Sequence, residues 1–235
     1  MPISKNPPKN PEFITLDEPL DYLGWSSRNW TLIKARKPDI YELKIALIDT
    51  KPTIYRTILI PGDVTLNKLH LVIQNSFNWW NYHLFRFDGY GKTKTVEDVF
   101  ENQSELMYEY DFGTTQYHLI KEIAFYEFTD KDQHKVFPVC VEAKRFAPFE
   151  DSSDWNYMLE IAQDKKHEEY KETIDWLEEM WDQTTEGEQG KFSVSKLLDN
   201  KVGLLEINVE LSRLQLYPTK EYKEFDIPTS MKNLK

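Results

Sequence analysis

The sequence predicts an α+β fold: a mixed or antiparallel sheet, with one helix after the first hairpin and a helical pair late in the chain. Three observations carry this reading. Period-two alternation dominates the first half, one helical stripe interrupts it, and from Asp154 onward the apolar residues recur at helical spacing. Strands first and helices clustered late argue against the regular strand–helix alternation of a parallel sheet.

Taken in order, Tyr41, Leu43, Ile45 and Leu47 alternate with Glu42, Lys44 and Ala46, which is the period of a half-buried strand. After Asp49-Thr50-Lys51-Pro52, the run Ile54–Ile60 reads as a second strand, and the two form a hairpin that Pro61-Gly62 ends. Thr65 is placed to cap a helix on which Leu66, Leu69, Ile73 and Phe77 share a stripe. Further strands are expected near 83–88, 106–112, 117–128 and 136–144, with a single helical turn from Thr95 to Phe100. Asp154 caps a helix carrying Trp155, Met158, Leu159 and Ala162, and a second stripe of Tyr170, Ile174, Leu177 and Trp181 follows. The polar run 184–190 reads as a linker. Beyond it Leu205, Ile207, Val209 and Leu211 alternate with polar residues, predicting a strand near 203–212. The domain reading is therefore an irregular N-terminal extension over 1–38, whose Trp25 and Trp30 dock on the body, an α+β domain over 39–184, and a C-terminal extension over 185–235 ending in a mobile tail.

Hydrophobic residues make up 40% of the 235 and aromatics 14%, enough to build a sizeable core and to exclude global disorder. There are 8 glycines and no glycine-rich phosphate-binding string, which excludes the common nucleotide cradles. The single cysteine, Cys140, has no partner for an intrachain disulfide and lies in an apolar run, so it reads as a core residue in a reducing, cytoplasmic setting. Neither a signal peptide nor a membrane-spanning run is legible. The net charge of −11 is segregated. Between Glu150 and Gly190 fourteen acidic residues face three lysines, a local excess equal to that of the whole chain. Such a segment repels nucleic acid, which argues against direct DNA or RNA binding, and its plain alternative role is to keep the protein soluble.

Four strings, in this order and spacing, resemble the plasmid pRiA4b ORF-three-like family from about residue 39 to 184. They are Lys51-Pro52-Thr53-Ile54-Tyr55-Arg56 with Ile60-Pro61; Trp79 to Leu84 leading into Phe85-Arg86-Phe87; Tyr108-Glu109-Tyr110-Asp111-Phe112-Gly113 with His118 following; and Pro148-Phe149-Glu150-Asp151 with Trp155-Asn156-Tyr157 and His167-Glu168-Glu169. The chain departs from the family where Tyr55 replaces a more usual Trp, where Thr114, Thr115 and Gln116 replace acidic and Trp positions, and where Ala147 and Ser152 stand at positions that tend to be cysteines. The resemblance implies a compact α+β domain, association with plasmids or other mobile elements, and no established catalytic mechanism. A resolvase label that some members carry finds no recombinase nucleophile arrangement here.

The residues with most chemical potential are His83, Asp111, His118, Glu150 and Asp151. Imidazole and carboxylates together suit a divalent metal, with His83, Asp111 and His118 as ligands and Glu150 or Asp151 as base of a metal-dependent hydrolase or phosphodiesterase. The structural alternative is that Asp111 caps the turn before Gly113, His118 satisfies a backbone partner, and Glu150-Asp151 caps the helix that follows. Arg56 reads as a structural ion pair with Asp111 or a late carboxylate, and His167 as a helix-packing histidine. Trp79, Trp80 and Tyr82 are aromatic enough to wall a ligand or stack a base, or else to pack the core.

The residues favour a non-enzymatic interaction protein without a cofactor, whose acidic helix presents Glu168, Glu172 and Glu179 to a basic protein partner, in one variant as a nucleic-acid mimic. Trp79, Trp80 and Tyr82 form a second contact surface in that reading. The rival is the divalent-metal-dependent hydrolase, and convergence of the five polar side chains around a cleft discriminates the two.

Overall fold

The computed structural model describes residues 39–127, 137–185, 190–199, 202–214 and 216. The expected N-terminal extension, the linker residues 186–189 and the tail from Pro218 lie outside these residues.

Six antiparallel strands form one sheet, in which the strands lie, by their order in the chain, as third, fourth, fifth, first, second and sixth. β1 (Ile40–Leu47) and β2 (Tyr55–Pro61) make the hairpin, with Leu43 opposite Ile58 and Ile45 opposite Arg56. The chain then crosses by helix α1 (Leu66–Phe77) to the far edge, where β3 (Phe85–Phe87) starts a meander with β4 (Glu105–Tyr110) and β5 (Gln116–Tyr126). β5 returns against β1, and β6 (Val139–Lys144) closes the other edge beside β2. A short helix α2 (Val96–Phe100) lies between β3 and β4. Thr95 and Asp98 hydrogen-bond reciprocally at its start, a capping box that fixes the turn.

The inward residues of β1 are buried and Glu42, Lys44 and Ala46 only partly so, so the alternation legible in the sequence is the alternation between two faces of the sheet. The core face carries Leu43, Ile45, Ile58, Ile60, Leu106, Tyr108 and Ile120, and α1 adds Leu66, Leu69, Ile73 and Phe77 to the same cluster. Helices α3 (Trp155–Gln163) and α4 (Tyr170–Thr185) pack on each other and contribute Trp155, Leu177 and Trp181. Asp154 caps α3 by accepting from the Tyr157 N–H.

Two short helices follow, α5 (Val194–Leu198) and α6 (Leu204–Ser212). The last corrects the expected strand near 203–212. Ile207, Asn208 and Leu211 are buried and Leu205 is exposed, which is a helical stripe and not alternation. A short apolar run supports either period, and contact with α1 and β6 decides for the helix.

Arg56 also departs from expectation. It is buried, and its partners are carbonyls and not a carboxylate. Nε donates to Ser76 O at 2.8 Å, and one terminal nitrogen donates to Tyr55 O, Lys144 O and Arg145 O. The guanidinium lies over the Phe77 ring at 4.7 Å. Burial lowers its pKa to about 10. Cys140 is buried as expected, and burial pushes its thiol up to about 12.

Candidate functional site

Three of the five polar candidates meet at the end of the sheet where β4 turns into β5. His83 comes from the loop after α1, Asp111 from the β4–β5 turn, and Asp151 from the turn that precedes α3. One ligand atom from each lies within 4.8 Å of the others. The His83 ring stands between the two carboxylates, with Nδ1 3.6 Å from Asp111 Oδ1 and Nε2 3.3 Å from Asp151 Oδ1. Its Nε2 is buried and faces Asp151 without making a hydrogen bond. The Asp111 side chain is 8% exposed, that of His83 27% and that of Asp151 65%, so the cluster runs from the interior to solvent.

Each of the three segments is locally fixed. Asn78 ends α1 in the left-handed conformation, and the loop that follows is pinned at successive residues. Trp79 Nε1 donates to Pro148 O at 2.8 Å, the Trp80 N–H donates to Glu150 Oε2, and Asn81 Oδ1 lies 2.7 Å from His70 Nε2. The His83 N–H reaches the Tyr110 hydroxyl at 3.4 Å, and Asp111 N donates to Leu84 O at 2.9 Å. Asp111 accepts from the Gly113 N–H and the Thr114 hydroxyl. Burial alone raises its carboxyl pKa, but the bonds from Thr114 and Gly113 together with nearby His83 outweigh it, and the net direction is down. An ionised carboxylate is therefore held at the inner end of the site. Gln116 ties the third segment by donating to Ser152 O at 3.1 Å. Thr114 and Gln116 thus both support the cluster.

Asn81, Asp111 and Asp151 all have positive φ, at 62°, 60° and 63°. Asn and Asp tolerate this region better than other side chains, and such residues persist only where surrounding contacts enforce them.

Glu150 is buried beside the cluster but is not part of it. Its two oxygens accept from the Tyr110 hydroxyl and the Trp80 N–H. That makes it a clamp between the loop carrying His83 and the turn carrying Asp151. Of the two caps the sequence offered for α3, Asp154 is the one that forms, and Glu150-Asp151 lies before it. His118 lies elsewhere, fully buried among Phe77, Trp79 and Tyr108, with Nδ1 3.3 Å from Gln116 O and Nε2 without a partner. Burial lowers its pKa to about 3, so it is a neutral core histidine. Tyr110 stands in one of the four strings but not among the site candidates, because an inward tyrosine on a strand carries no signal beyond core packing.

Of the aromatic candidates, Trp79 is buried and stacks on Phe77 and Tyr110, Trp80 is half-buried, and Tyr82 is 77% exposed. Glu168, Glu172 and Glu179 are exposed on or just before α4, whose opposite side buries Thr173, Leu177, Met180 and Trp181. His167 is half-buried just before that helix, and its Nδ1 accepts from the Glu169 N–H.

One imidazole and two carboxylates from three segments, with a solvent-facing side, form a donor set suited to a borderline or hard divalent cation. Bonds of about 2.1 Å to a common ion place ligand atoms about 3–4 Å apart, so only small side-chain rotations would be needed for this cluster to hold one. Fold and cluster together define an α+β domain with a six-stranded antiparallel sheet and a His–Asp–Asp site at one end. The chain belongs to the family described as Plasmid pRiA4b ORF-3-like protein, whose sequence profile matches residues 39–188. It is similar to the uncharacterized protein y4hQ of Sinorhizobium fredii, 28% identical over 161 residues, covering 58% of this chain and 80% of that protein. Its fold is similar to the crystal structure of MM3350, a protein of unknown function from Methanosarcina mazei Go1. That likeness has a TM-score of 0.55 at 28% identity and covers 60% of this chain and 91% of the other. Among the described residues no helix is long and apolar enough to cross a membrane.

Proposed function

We propose that the protein binds a divalent cation through His83, Asp111 and Asp151 and uses it to hydrolyse a phosphoester. The observation that carries the reading is the convergence of these three side chains from separate segments to within 4.8 Å. A cation held by three protein atoms keeps further positions for water and substrate. Bound there, it would supply a Lewis acid for a phosphoryl oxygen and a lower pKa for bound water. Glu150, with both oxygens engaged, is a positioning residue and not the base.

The test is manganese-dependent cleavage of bis(p-nitrophenyl) phosphate by the full chain and by Asp151→Asn. Turnover that needs the metal and falls at least tenfold in the variant supports the reading. No turnover by manganese-loaded protein contradicts the hydrolase part of it.

The exposed acidic side of α4 supports a second reading, in which Glu168, Glu172 and Glu179 engage a basic protein partner, as a nucleic-acid mimic in its sharpest form. The plasmid in the family's description supports a mobile-element setting for that reading. Reversing these three charges abolishes capture of such a partner if the face is the contact. Capture unchanged by the reversal removes the basis of this reading.

A further inference from the structure

Seven large hydrophobic side chains are exposed among the described residues, and three of them stand next in the chain to residues of the cation cluster. Tyr82 and Leu84, 77% and 69% exposed, flank His83 in the chain, and Phe112, 49% exposed, follows Asp111. Backbone pairing brings their segments together. The Asp111 N–H bonds Leu84 O, and the β3–β4 register pairs the next residues inward, Phe85 with Tyr110. The Tyr82 ring lies 5.8 Å from that of half-buried Trp80, and the Arg86 guanidinium lies 5.7 Å from the Phe112 ring while giving its Nε to Glu109. Scattered exposed apolar residues need no explanation, but three adjoining the residues of one polar cluster suit the apolar wall that small-molecule sites combine with a few polar groups.

We infer that this collar selects the substrate, a small phosphate ester whose other half is a flat aromatic group, such as a nucleoside monophosphate. The inference rests on the cation reading above. The phosphate oxygens meet the cation and Arg86 lies at the rim, while the ring covers Tyr82, Leu84 and Phe112. Tyrosine and phenylalanine offer stacking faces, which bind any base because every base has one. The size limit comes from charge: a chain with a net charge of −11 repels a long polyanion but admits a short one that the cation neutralises.

The experiment measures adenosine monophosphate and ribose 5-phosphate binding to the manganese-loaded full chain. It repeats both with the triple variant Tyr82→Ser, Leu84→Ser, Phe112→Ser. All three side chains are exposed, so the variant folds. The nucleotide is expected to bind roughly tenfold tighter than the sugar phosphate, and the variant to lose that difference while holding manganese unchanged. Equal binding of the two ligands, or an undiminished preference in the variant, overturns the collar's role and leaves the cation site standing. An oligonucleotide that binds tighter than the monophosphate overturns the size limit and with it this substrate class. Failure of the wild-type chain to hold manganese overturns the cation reading itself.

Discussion

The side-chain amide of Asn208 pairs with the backbone of Cys140 as a neighbouring strand would. Cys140 N donates to its Oδ1 at 2.7 Å and its Nδ2 donates to Cys140 O at 2.9 Å. β6 is an edge strand, and an unpaired edge is a template for association. Helix α6 covers that edge, and one buried asparagine satisfies both groups of the strand residue facing it.

Asn208→Leu leaves a buried N–H and C=O without partners, at a cost of about 1–3 kcal/mol. Urea unfolding is expected to show a lower midpoint with an unchanged slope. A midpoint equal to wild type contradicts the pairing.

Arg56→Met removes the donors that serve Ser76 O, Tyr55 O, Lys144 O and Arg145 O inside the protein. The expected loss is about 3 kcal/mol, and Arg56→Lys recovers little because a single ammonium lacks the planar fork. Thermal unfolding of the two variants checks this; a lysine variant as stable as wild type removes the argument.

Acid stability follows from His70 and His118. Burial lowers their pKa values to about 4 and about 3, against an ordinary 6.5. A histidine depressed in the folded state contributes stability above its unfolded pKa, and that contribution is lost as pH falls through 6.5 toward the folded value. At pH 4 the loss is on the order of 3 kcal/mol for His118. His118→Leu is expected to flatten this acid limb between pH 6.5 and 4 in urea titrations at fixed temperature. An unchanged limb assigns the acid sensitivity elsewhere.

Tyr110→Phe deletes the hydroxyl that Glu150 holds and that the His83 N–H reaches, without touching a proposed ligand. Groups that orient metal ligands contribute about 10–100-fold to affinity. Manganese affinity is therefore expected to drop about tenfold while the far-ultraviolet circular dichroism is unchanged. Equal affinity makes Tyr110 a packing residue only.

The legible parts of this molecule are those where one interaction dominates. β1 and α1 follow from alternation and from a stripe, because a two-faced sheet and a helix on one of its faces leave each residue a single neighbourhood. The run ending at Leu211 is short and apolar at both periods, and only its packing on β6 and α1 makes it helical. In the site, His83, Asp111 and Asp151 stand out as residue types, but their meeting depends on a crossover from β2 to the far edge of the sheet, which no local spacing encodes. His118 has the same chemistry in the sequence and a different fate. Its place on β5 points it into the core, whereas Asp111 lies at the turn where the sheet ends.

The central claim is tested most directly by titrating manganese into metal-free full chain, followed by electron paramagnetic resonance, beside His83→Ala and Asp151→Asn. The account predicts about one ion per chain for the wild type, with binding weakened at least tenfold in each variant. A wild type that leaves manganese free, or variants that bind it as well as wild type, contradicts a cation site at His83, Asp111 and Asp151.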